Sequence, residues 1–317
     1  MHVLAKGRGG FVMHAPPTVS LCDRLRNLPQ YLLPQRLLTG LVYRFTRLQT
    51  PWFKDLLIRH FIAHFQVDMS EALEPNPRSY ADFNQFFTRS LRAASRPMAA
   101  GEATLCCPVD GTVSQAGSIN GDSLLQAKGR RFSLIQLLGG DAERARPFQD
   151  GSFVTLYLSP RDYHRIHMPT QGRLREMVHI PGRLFSVSPL TTRVVPDLFA
   201  RNERVVAIFV TTAGPMAMVL VGAINVASIE TVWAGPITPP LGTAIRRWSY
   251  PEAGAGSVLL DKGEEMGRFN MGSTVIVLCG RDTVNWDPAL QAGASVRLGR
   301  KLGAIRRTSP ILAGISG

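Results

Sequence analysis

The segment "GRFNMGSTVIVL" (residues 267–278) carries the clearest strand signal in the chain. Its last six residues, "STVIVL", form an apolar, β-branched run of the kind that predicts a buried β-strand. A small and flexible Gly-Ser-Thr step stands directly before this run. Two interpretations fit the step: Gly272 simply turns the chain into the strand, or the bond between Gly272 and Ser273 is itself a reaction site.

Strand signals continue on the N-terminal side of this segment. Between residues 105 and 280, short apolar runs alternate with Gly and Pro turns, which favours a mainly antiparallel β-sheet body, sandwich-like or barrel-like, over βαβ units. The chain contains neither a G-x-G-x-x-G motif nor a P-loop motif. The predicted strands lie in "SFVTLYLS" (152–159), "RVVAIFVTT" (204–212), "AMVLVGAINVASIETVWAG" (217–235) and "STVIVL" (273–278).

Amphipathic helices are predicted before this body. In residues 28–68, large apolar residues recur at helical spacing with basic residues between them, and Pro51 suits the first turn of a helix. Residues 79–92 predict a further helix with Ser79 as its N-cap, followed by a hinge at 96–104 that is rich in Pro, Gly and Ala. The sequence thus predicts an α+β protein in three parts: a disordered extension (1–27), a helical region (28–99) and a β-rich domain (100–317).

Composition indicates a globular chain with a strong positive charge. The 317 residues are 45% hydrophobic and 19% charged, and 36 Lys and Arg against 23 Asp and Glu give a net charge of +13. This excess suits nucleic acid, an anionic membrane surface or an acidic substrate, and composition does not separate these partners. Four cysteines without a C-x-x-C pair indicate a reducing compartment. The longest apolar run (214–229) is too short for a span of ~20 residues, so any membrane contact is expected to be peripheral.

Three polar clusters interrupt the apolar body. Asp110 lies in "CCPVDGTVSQAG", where Asp-Gly after Pro is also a common turn signal. His164 and His167 lie three residues apart in "YLSPRDYHRIHMP". Zinc is an alternative for such a pair, but no further His or Cys cluster supplies a third ligand, so no metal is predicted and proton transfer fits better. The third cluster is Gly272-Ser273-Thr274.

Asp, His and Ser together are the residues that activate a hydroxyl. The His takes the serine proton, and the Asp orients the His and stabilises its charged form. A serine hydrolase is the first interpretation, but the G-x-S-x-G elbow is absent. Ser273 instead follows Gly272 directly, so the Gly272 carbonyl is open to attack by the hydroxyl of the next residue. This arrangement suits self-cleavage better than hydrolysis of a visiting ester.

From about Leu28 onward, the chain resembles the bacterial phosphatidylserine decarboxylase proenzymes. The resemblance rests on long stretches: "PVDGTVSQAG", "LQAKGRRFSL", "TLYLSPRDYHRIHMP", "PGRLFSVSP", "LFARNERVV", "IETVWAGPITPP" and "KGEEMGRFNMGSTVIVL". Three departures stand out. The cleavage motif carries Met271 where the family usually has Leu, which conserves volume and apolar character. Ser188-Pro189 replaces a common Asn-His, so no catalytic role is assigned there, and the first 25 or so residues have no recognised counterpart.

The resemblance implies a self-processing triad of Asp110, His167 and Ser273. His167 would deprotonate Ser273, which attacks the Gly272 carbonyl, and elimination would split the chain into a β chain (1–272) and an α chain (273–317). Residue 273 would become a pyruvoyl group, the covalent cofactor, which forms a Schiff base with the substrate amine and draws electrons as carbon dioxide leaves. His164 is the expected proton donor for this decarboxylation.

The resemblance also implies where the protein acts. The substrate would be phosphatidylserine in an anionic membrane, converted to phosphatidylethanolamine at the cytoplasmic face of the cell membrane by a peripheral enzyme. The positive charge and the helical region would then serve membrane docking rather than nucleic acid binding. The two cleavage products would stay together as an α/β heterodimer, with further dimerisation left open. Two alternatives remain at this stage: a Ser-His-Asp lipid hydrolase that stays one chain, and a non-catalytic basic membrane-binding domain.

Overall fold

The computed structural model describes residues 20–127, 129–224, 228–238, 243–271 and 273–306. Helices in these ranges lie mainly before residue 88 and in the connections between strands. Their bounds are α1 (Leu21–Asn27), α2 (Pro29–Leu32), α3 (Gln35–Phe45), α4 (Pro51–Phe65), α5 (Phe83–Phe87), α6 (Leu134–Leu137), α7 (Ala142–Ala145), α8 (Pro189–Val194) and α9 (Leu198–Arg201), with 3₁₀ turns at Pro77–Ser79, Ala93–Ser95 and Arg146–Phe148. Helix α1 occupies part of the segment for which the sequence predicts disorder, whereas residues 1–19 lie outside the described ranges.

Helix α4 is the longest of the described helices and organises the N-terminal region. Pro51 occupies its first turn, as predicted, because a first-turn residue needs no N–H donor. The helix ends at Phe65, and the following residue, Gln66, has the left-handed conformation. The Val67 N–H then bonds to the Ile62 carbonyl. Its buried face joins an apolar group that we call the helical cluster: Ile58, Phe61, Val67, Tyr80, Phe83, Phe86 and Phe87. Met271, which directly precedes the predicted cleavage site, packs against this cluster.

The helix predicted over residues 79–92 is wrong in length and in its cap. Only Phe83–Phe87 is α-helical, and Asp82 is its N-cap, with the carboxylate accepting from the Gln85 N–H at 2.8 Å. Ser79 instead ends the preceding 3₁₀ turn. Asp82 has an extended backbone directly before the first turn, and a carboxylate in this place is a strong cap. The helix therefore starts later than the periodicity indicates.

The β-rich domain follows from residue 104 onward. Its strands are β1 (Thr104–Cys106), β2 (Gly111–Ser118), β3 (Ser123–Ala127), β4 (Arg130–Ser133), β5 (Ser152–Leu158), β6 (Arg165–His167), β7 (Gly172–Ile180), β8 (Arg204–Thr211), β9 (Gly214–Val221), β10 (Ile229–Thr231), β11 (Gly235–Pro236), β12 (Arg246–Ser249), β13 (Leu259–Leu260), β14 (Glu265–Phe269), β15 (Ser273–Cys279), β16 (Val284–Trp286), β17 (Ser295–Val296) and β18 (Lys301–Ile305).

Strand β15 lies in the interior of the largest sheet. The order of that sheet is β12-β7-β8-β9-β15-β5-β2-β17, with β13 also paired to β7. All seven residues of β15 are buried, which explains why its sequence is a continuous apolar run rather than an alternating one. It pairs antiparallel with β5 on one side and β9 on the other. The predicted strands at 152–159, 204–212 and 273–278 are confirmed, and the predicted segment 217–235 divides into β9, β10 and β11.

Smaller antiparallel sheets complete the body: β11-β10-β14-β6, β1-β18-β16 and β3-β4. One large apolar core, which runs from Leu105 to Ile305, packs between these elements. The α+β class with mainly antiparallel sheets is therefore confirmed. Within the described ranges, no helix has both the length and the apolar character needed to cross a membrane.

Candidate active site

Ser273 is the first residue of β15, and its side chain is fully buried. It lies opposite Leu158, the last residue of β5. Its Oγ has no hydrogen-bond partner among the described residues. A buried hydroxyl without a partner is costly and therefore uncommon in a folded protein. The predicted cleavage partner, Gly272, lies outside the described residues.

Asp110 directly precedes β2 and comes close to the same end of the sheet. Thr112 pairs with Tyr157 of β5, so Gly111 lies alongside Leu158, and Ser273 lies on the far side of that residue. A Cβ at Gly111 would collide with the main-chain oxygen of Tyr157. Glycine after Asp110 is thus required by close strand contact as well as by any turn. With strands ~4.8 Å apart, the backbones at Gly111 and Ser273 are ~10 Å from each other.

Among the described residues, the carboxylate of Asp110 accepts its hydrogen bonds from Arg96 and Leu298, not from a histidine. It accepts from Nε and Nη2 of Arg96 and, at 2.8 Å, from the main-chain N–H of Leu298. Burial lowers the pKa of Arg96, but hydrogen bonds and charge from Asp110 and Glu71 more than offset this and raise it above its usual range. Arg96 therefore stays charged, and Asp110 is firmly fixed.

His167 is the last residue of β6, which pairs with β14 in one of the smaller sheets. Its main-chain N–H bonds to the Pro108 carbonyl at 2.9 Å, which places it beside the segment that carries Asp110. Its Nδ1 lies 2.8 Å from the Gly263 carbonyl, and because a carbonyl only accepts, Nδ1 carries the proton. Nε2 is then the free base of the neutral ring, 3.2 Å from the Tyr163 hydroxyl. Within the described structure, the Gly263 carbonyl thus orients the imidazole, the task that triad chemistry gives to the aspartate.

Burial shifts the pKa of both His167 and Tyr163. It lowers the pKa of His167, although the Gly263 hydrogen bond and the nearby charges of Glu265 and Asp110 oppose the shift. Burial also raises the pKa of Tyr163 to about 12, so the phenol stays protonated and donates to Nε2. A neutral imidazole whose Nε2 holds no proton of its own is the form that can accept one from a serine.

His164 is buried within the protein, three residues before His167. Its Nδ1 donates to the Asp162 carbonyl at 2.8 Å, its ring centroid lies 4.1 Å from that of Phe87, and its Nε2 has no partner in the described structure. Burial lowers the pKa of His164 to about 3, so the free imidazole is neutral. The Phe269 N–H bonds to the His164 carbonyl at 3.0 Å, which fixes His164 beside the strand that leads to Ser273.

Comparison with known proteins identifies the family. A family model described as phosphatidylserine decarboxylase matches residues 83–304, and a second, described as PSD, matches residues 25–66. The chain belongs to the phosphatidylserine decarboxylase family. It is 49% identical over 286 residues to the phosphatidylserine decarboxylase proenzyme of Idiomarina loihiensis. The aligned region covers 90% of this chain and 98% of that protein. The chain is 54% identical over 281 residues to the proenzyme of the same name from Azotobacter vinelandii, with 89% and 98% covered.

An apolar cavity of about 340 Å³ lies beside the predicted site residues. The cavity lies between the helical cluster and the end of β5. Two of its lining residues flank the predicted cleavage position: Met271 precedes it in the chain, and Leu158 pairs with Ser273. A third, Phe87, contacts His164. The lining residues are Phe61, Phe65, Phe87, Tyr157, Leu158, Pro160, Ser186, Val187, Ser188, Ala223, Ile224 and Met271.

The sequence analysis missed three groups that contact the predicted site residues: Arg96, Tyr163 and the Gly263 carbonyl. Arg96 lies in a Pro- and Ala-rich stretch that predicts a hinge. Its neighbours, Ser95 and Pro97, give no indication that the arginine is buried or that it pairs with Asp110. Tyr163 adjoins His164 in the polar cluster, so its position was a usable signal. A main-chain carbonyl such as that of Gly263 leaves no trace in residue type.

Proposed function

We propose that this chain decarboxylates phosphatidylserine to phosphatidylethanolamine after it has cut itself between Gly272 and Ser273. The names of the relatives support both parts, since they denote a decarboxylase and a proenzyme. The observation that carries the self-cleavage is the Ser273 hydroxyl, which is buried without a partner in the described structure. A hydrolase serine must meet a substrate from outside, so this burial favours an intramolecular reaction over a lipid hydrolase.

In the proposed cleavage, His167 is the base. Its Nε2 takes the proton from Ser273 Oγ while that oxygen attacks the Gly272 carbonyl carbon, and the proton passes to the departing amide nitrogen. An ester C–O bond thereby replaces the amide C–N bond. Loss of the Ser273 α-proton then expels the Gly272 carboxylate, and addition of water with loss of ammonia leaves a ketone at residue 273. The fixed charge of Asp110 favours the protonated state of His167 that forms on the way.

A pyruvoyl group at residue 273 suits its surroundings. A ketone has no hydrogen-bond donor, so the conversion removes a buried hydroxyl that has no acceptor in the described structure. The cavity beside Met271 is lined mainly by apolar side chains, which hold water only weakly. When formed, the group supplies an electron sink for the bond that breaks as carbon dioxide leaves.

His164 is the proposed proton donor for the decarboxylation. Its Nδ1 is committed to the Asp162 carbonyl, so Nε2 is the atom that can take up and release the catalytic proton. Burial disfavours the charged ring in the free site. An anionic phosphodiester bound in the adjacent cavity would oppose that effect, because a nearby negative charge stabilises the imidazolium. Protonation of His164 would then be coupled to substrate binding.

The helical region is the proposed membrane-docking element at the cytoplasmic face of the cell membrane. Helices α1 to α4 leave large apolar side chains exposed, among them Trp52 at 70% and Leu56 at 57% exposed on α4. Arg44 and Arg59 are also exposed on these helices. Exposed aromatic and apolar residues next to arginines suit the headgroup zone of an anionic bilayer. The same helix contributes Phe61 and Phe65 to the cavity beside the cleavage position, which gives the lipid headgroup a short route inward.

After cleavage, the α chain would remain in place as part of the sheet. Strand β15 pairs along its whole length with β5 and along six residues with β9, both of which belong to the β chain. Its residues Val275 to Leu278 are all fully buried in the common core. Burial of this kind, at about 25 cal/mol per Å² of apolar surface, holds a strand without a covalent link. An α/β pair of the two products is therefore the expected mature form.

A gel and an activity assay test the proposal together. Purified protein should migrate as two pieces and release carbon dioxide from phosphatidylserine vesicles, whereas Ser273→Ala should stay one piece and be inactive. Ser273→Ala is the matched variant because it removes only the attacking oxygen. A wild-type protein that stays one piece yet decarboxylates the lipid would refute the self-cleavage.

A further inference from the structure

The carboxylate of Asp110 lies at the centre of a buried ionic network. We call this network the Asp110 clamp and define it as Arg96, Glu71 and the main-chain N–H of Leu298. Arg96 donates to both carboxylate oxygens of Asp110, with Nε at 2.9 and 3.1 Å. Its Nη2 also donates to Asp110, and at 2.7 Å to Glu71. The side chains of Arg96 and Asp110 are only 8% and 10% exposed.

The remaining donors of Arg96 leave it no freedom to turn. Nη1 donates to the Ser95 carbonyl at 2.7 Å. Glu71, which accepts from Arg96, also accepts from Arg297 at 2.7 Å. A planar guanidinium that bonds two carboxylates and a carbonyl in this way has one orientation. The position of the Asp110 carboxylate is therefore set by Arg96.

In the described structure, the Asp110 carboxylate bonds to Arg96 and to the Leu298 N–H rather than to His167. If the carboxylate left Arg96, a buried guanidinium would lose its closest counter-charge, which is costly. His167 has its own orienting bond from Nδ1 to the Gly263 carbonyl, so it does not need Asp110 for alignment. What remains for Asp110 is the effect of its charge on the protonated ring, and such an effect depends on where the charge is held.

The clamp contains groups from both sides of the cleavage position. Arg96 and Glu71 precede Gly272, whereas Leu298 follows it. The segment around Leu298 is fastened by further main-chain bonds, from Gly299 to Cys107 at 3.0 Å and from Cys107 to Arg300 at 2.7 Å. The segment that follows the predicted cleavage position thus supplies one of the hydrogen bonds that hold Asp110.

We propose that Arg96 is a positioning residue for self-cleavage: it fixes the Asp110 carboxylate beside the segment that His167 contacts through the Pro108 carbonyl. The proposal rests on the proposed self-cleavage at Gly272–Ser273 and adds a residue that does not touch the reacting atoms. Because the clamp acts before the chain splits, loss of Arg96 should slow maturation and leave the decarboxylation step itself unchanged. This separation distinguishes a positioning role from general damage to the fold.

The structure offers a direct rescue experiment. Arg96 and Asp110 both line a polar cavity of about 230 Å³, so a small cation can reach the space that a truncated side chain would leave. Arg96→Ala should split about 10- to 100-fold more slowly than wild type, the loss expected when a group that acts in the reaction is misplaced. Low millimolar guanidinium should restore much of the rate with saturation. Urea at the same concentration, which has a similar shape but no charge, should not.

Two controls make the outcome decisive. Arg297→Ala removes an arginine outside the clamp, which bonds to Glu71 and not to Asp110. This variant should split within about twofold of wild type, as expected for a half-exposed ion pair. The molecules of Arg96→Ala that do split should decarboxylate at the wild-type rate per α chain formed. Cleavage of Arg96→Ala at the wild-type rate, or equal rescue by urea, would overturn the proposal.

Arg96→Lys covers the case in which the alanine variant does not fold. A lysine keeps the charge but has no bidentate fork, so a folded Arg96→Lys protein should split several-fold more slowly than wild type, and wild-type splitting would also overturn the proposal. Failure of the wild-type protein to split would count against the self-cleavage itself. Splitting of wild type with no defect in any Arg96 variant would count only against the role of Arg96.

Discussion

The buried imidazole of His164 predicts a specific loss of stability in acid. Its pKa is lowered from 6.5 to about 3 because burial penalises the charged ring. When folding lowers the pKa of a group, the contribution of that group to the free energy of unfolding is complete above the unfolded pKa. This contribution is lost as the pH falls toward the folded pKa. The unfolded chain binds the proton first, so the relevant window runs from pH 6.5 down to about 3.

The size of the effect follows from the two pKa values. Each pH unit inside the window costs about 1.4 kcal/mol of unfolding free energy. At about pH 5, which lies roughly 1.5 units below the unfolded pKa, His164 alone should cost about 2 kcal/mol relative to neutral pH. His164→Gln has no titrating ring and should lack this part of the acid sensitivity, while the other titrating groups remain common to both proteins.

Urea unfolding followed by tryptophan fluorescence measures the difference. Both proteins should carry Ser273→Ala, so that each is a single uncleaved chain. The fall in unfolding free energy between neutral pH and about pH 5 should be about 2 kcal/mol larger with His164 present. Equal falls would mean that the folded protein accommodates the charged ring, and the assignment of His164 as a buried, neutral group in the free site would be refuted.

Three further predictions address the site and the membrane surface. His164→Gln without the second substitution should split into two chains but decarboxylate about 100-fold more slowly, the usual loss of a general acid, as measured by carbon dioxide release; normal turnover would remove His164 from the mechanism. In an uncleaved His167→Asn background, Ser273→Ala should raise the free energy of unfolding by about 1 kcal/mol or more, because it deletes an unpartnered buried hydroxyl; a decrease would show that the hydroxyl has a partner. Trp52→Glu with Leu56→Glu should weaken flotation with phosphatidylserine vesicles at least about tenfold while unfolding stability is kept, since both side chains are exposed; unchanged flotation would place membrane docking elsewhere.

The strands of the large sheet could be predicted because burial on both faces leaves continuous apolar runs. "STVIVL" and "RVVAIFVTT" are such runs, and both form strands at the expected residues. The helix over 79–92 failed because periodicity continues past the point where the Asp82 carboxylate caps the first turn. Local patterns therefore locate the elements, whereas their ends depend on individual side-chain bonds.

The candidate site was only partly accessible to sequence reasoning. Asp110, His164, His167 and Ser273 stand in polar clusters at strand ends. Strand pairing brings Asp110 and Ser273 to the same end of β5 and His164 beside the strand that leads to Ser273, whereas His167 pairs with Glu265 at the other end of β14. The direct contact expected between aspartate and histidine is replaced by Arg96 on one residue and Gly263 on the other. These partners lie far apart in the chain or act through the main chain, so no spacing rule reveals them. Ser188, to which no catalytic role was assigned, caps α8 and lines the apolar cavity.

The mass of the C-terminal product tests the central claim most directly. Purified active protein should yield a fragment that begins at residue 273, lacks a free amine and is lighter by one ammonia than the same peptide with an N-terminal serine. A fully active preparation that contains only the full-length chain, or a fragment that begins with an unmodified serine, would contradict the account.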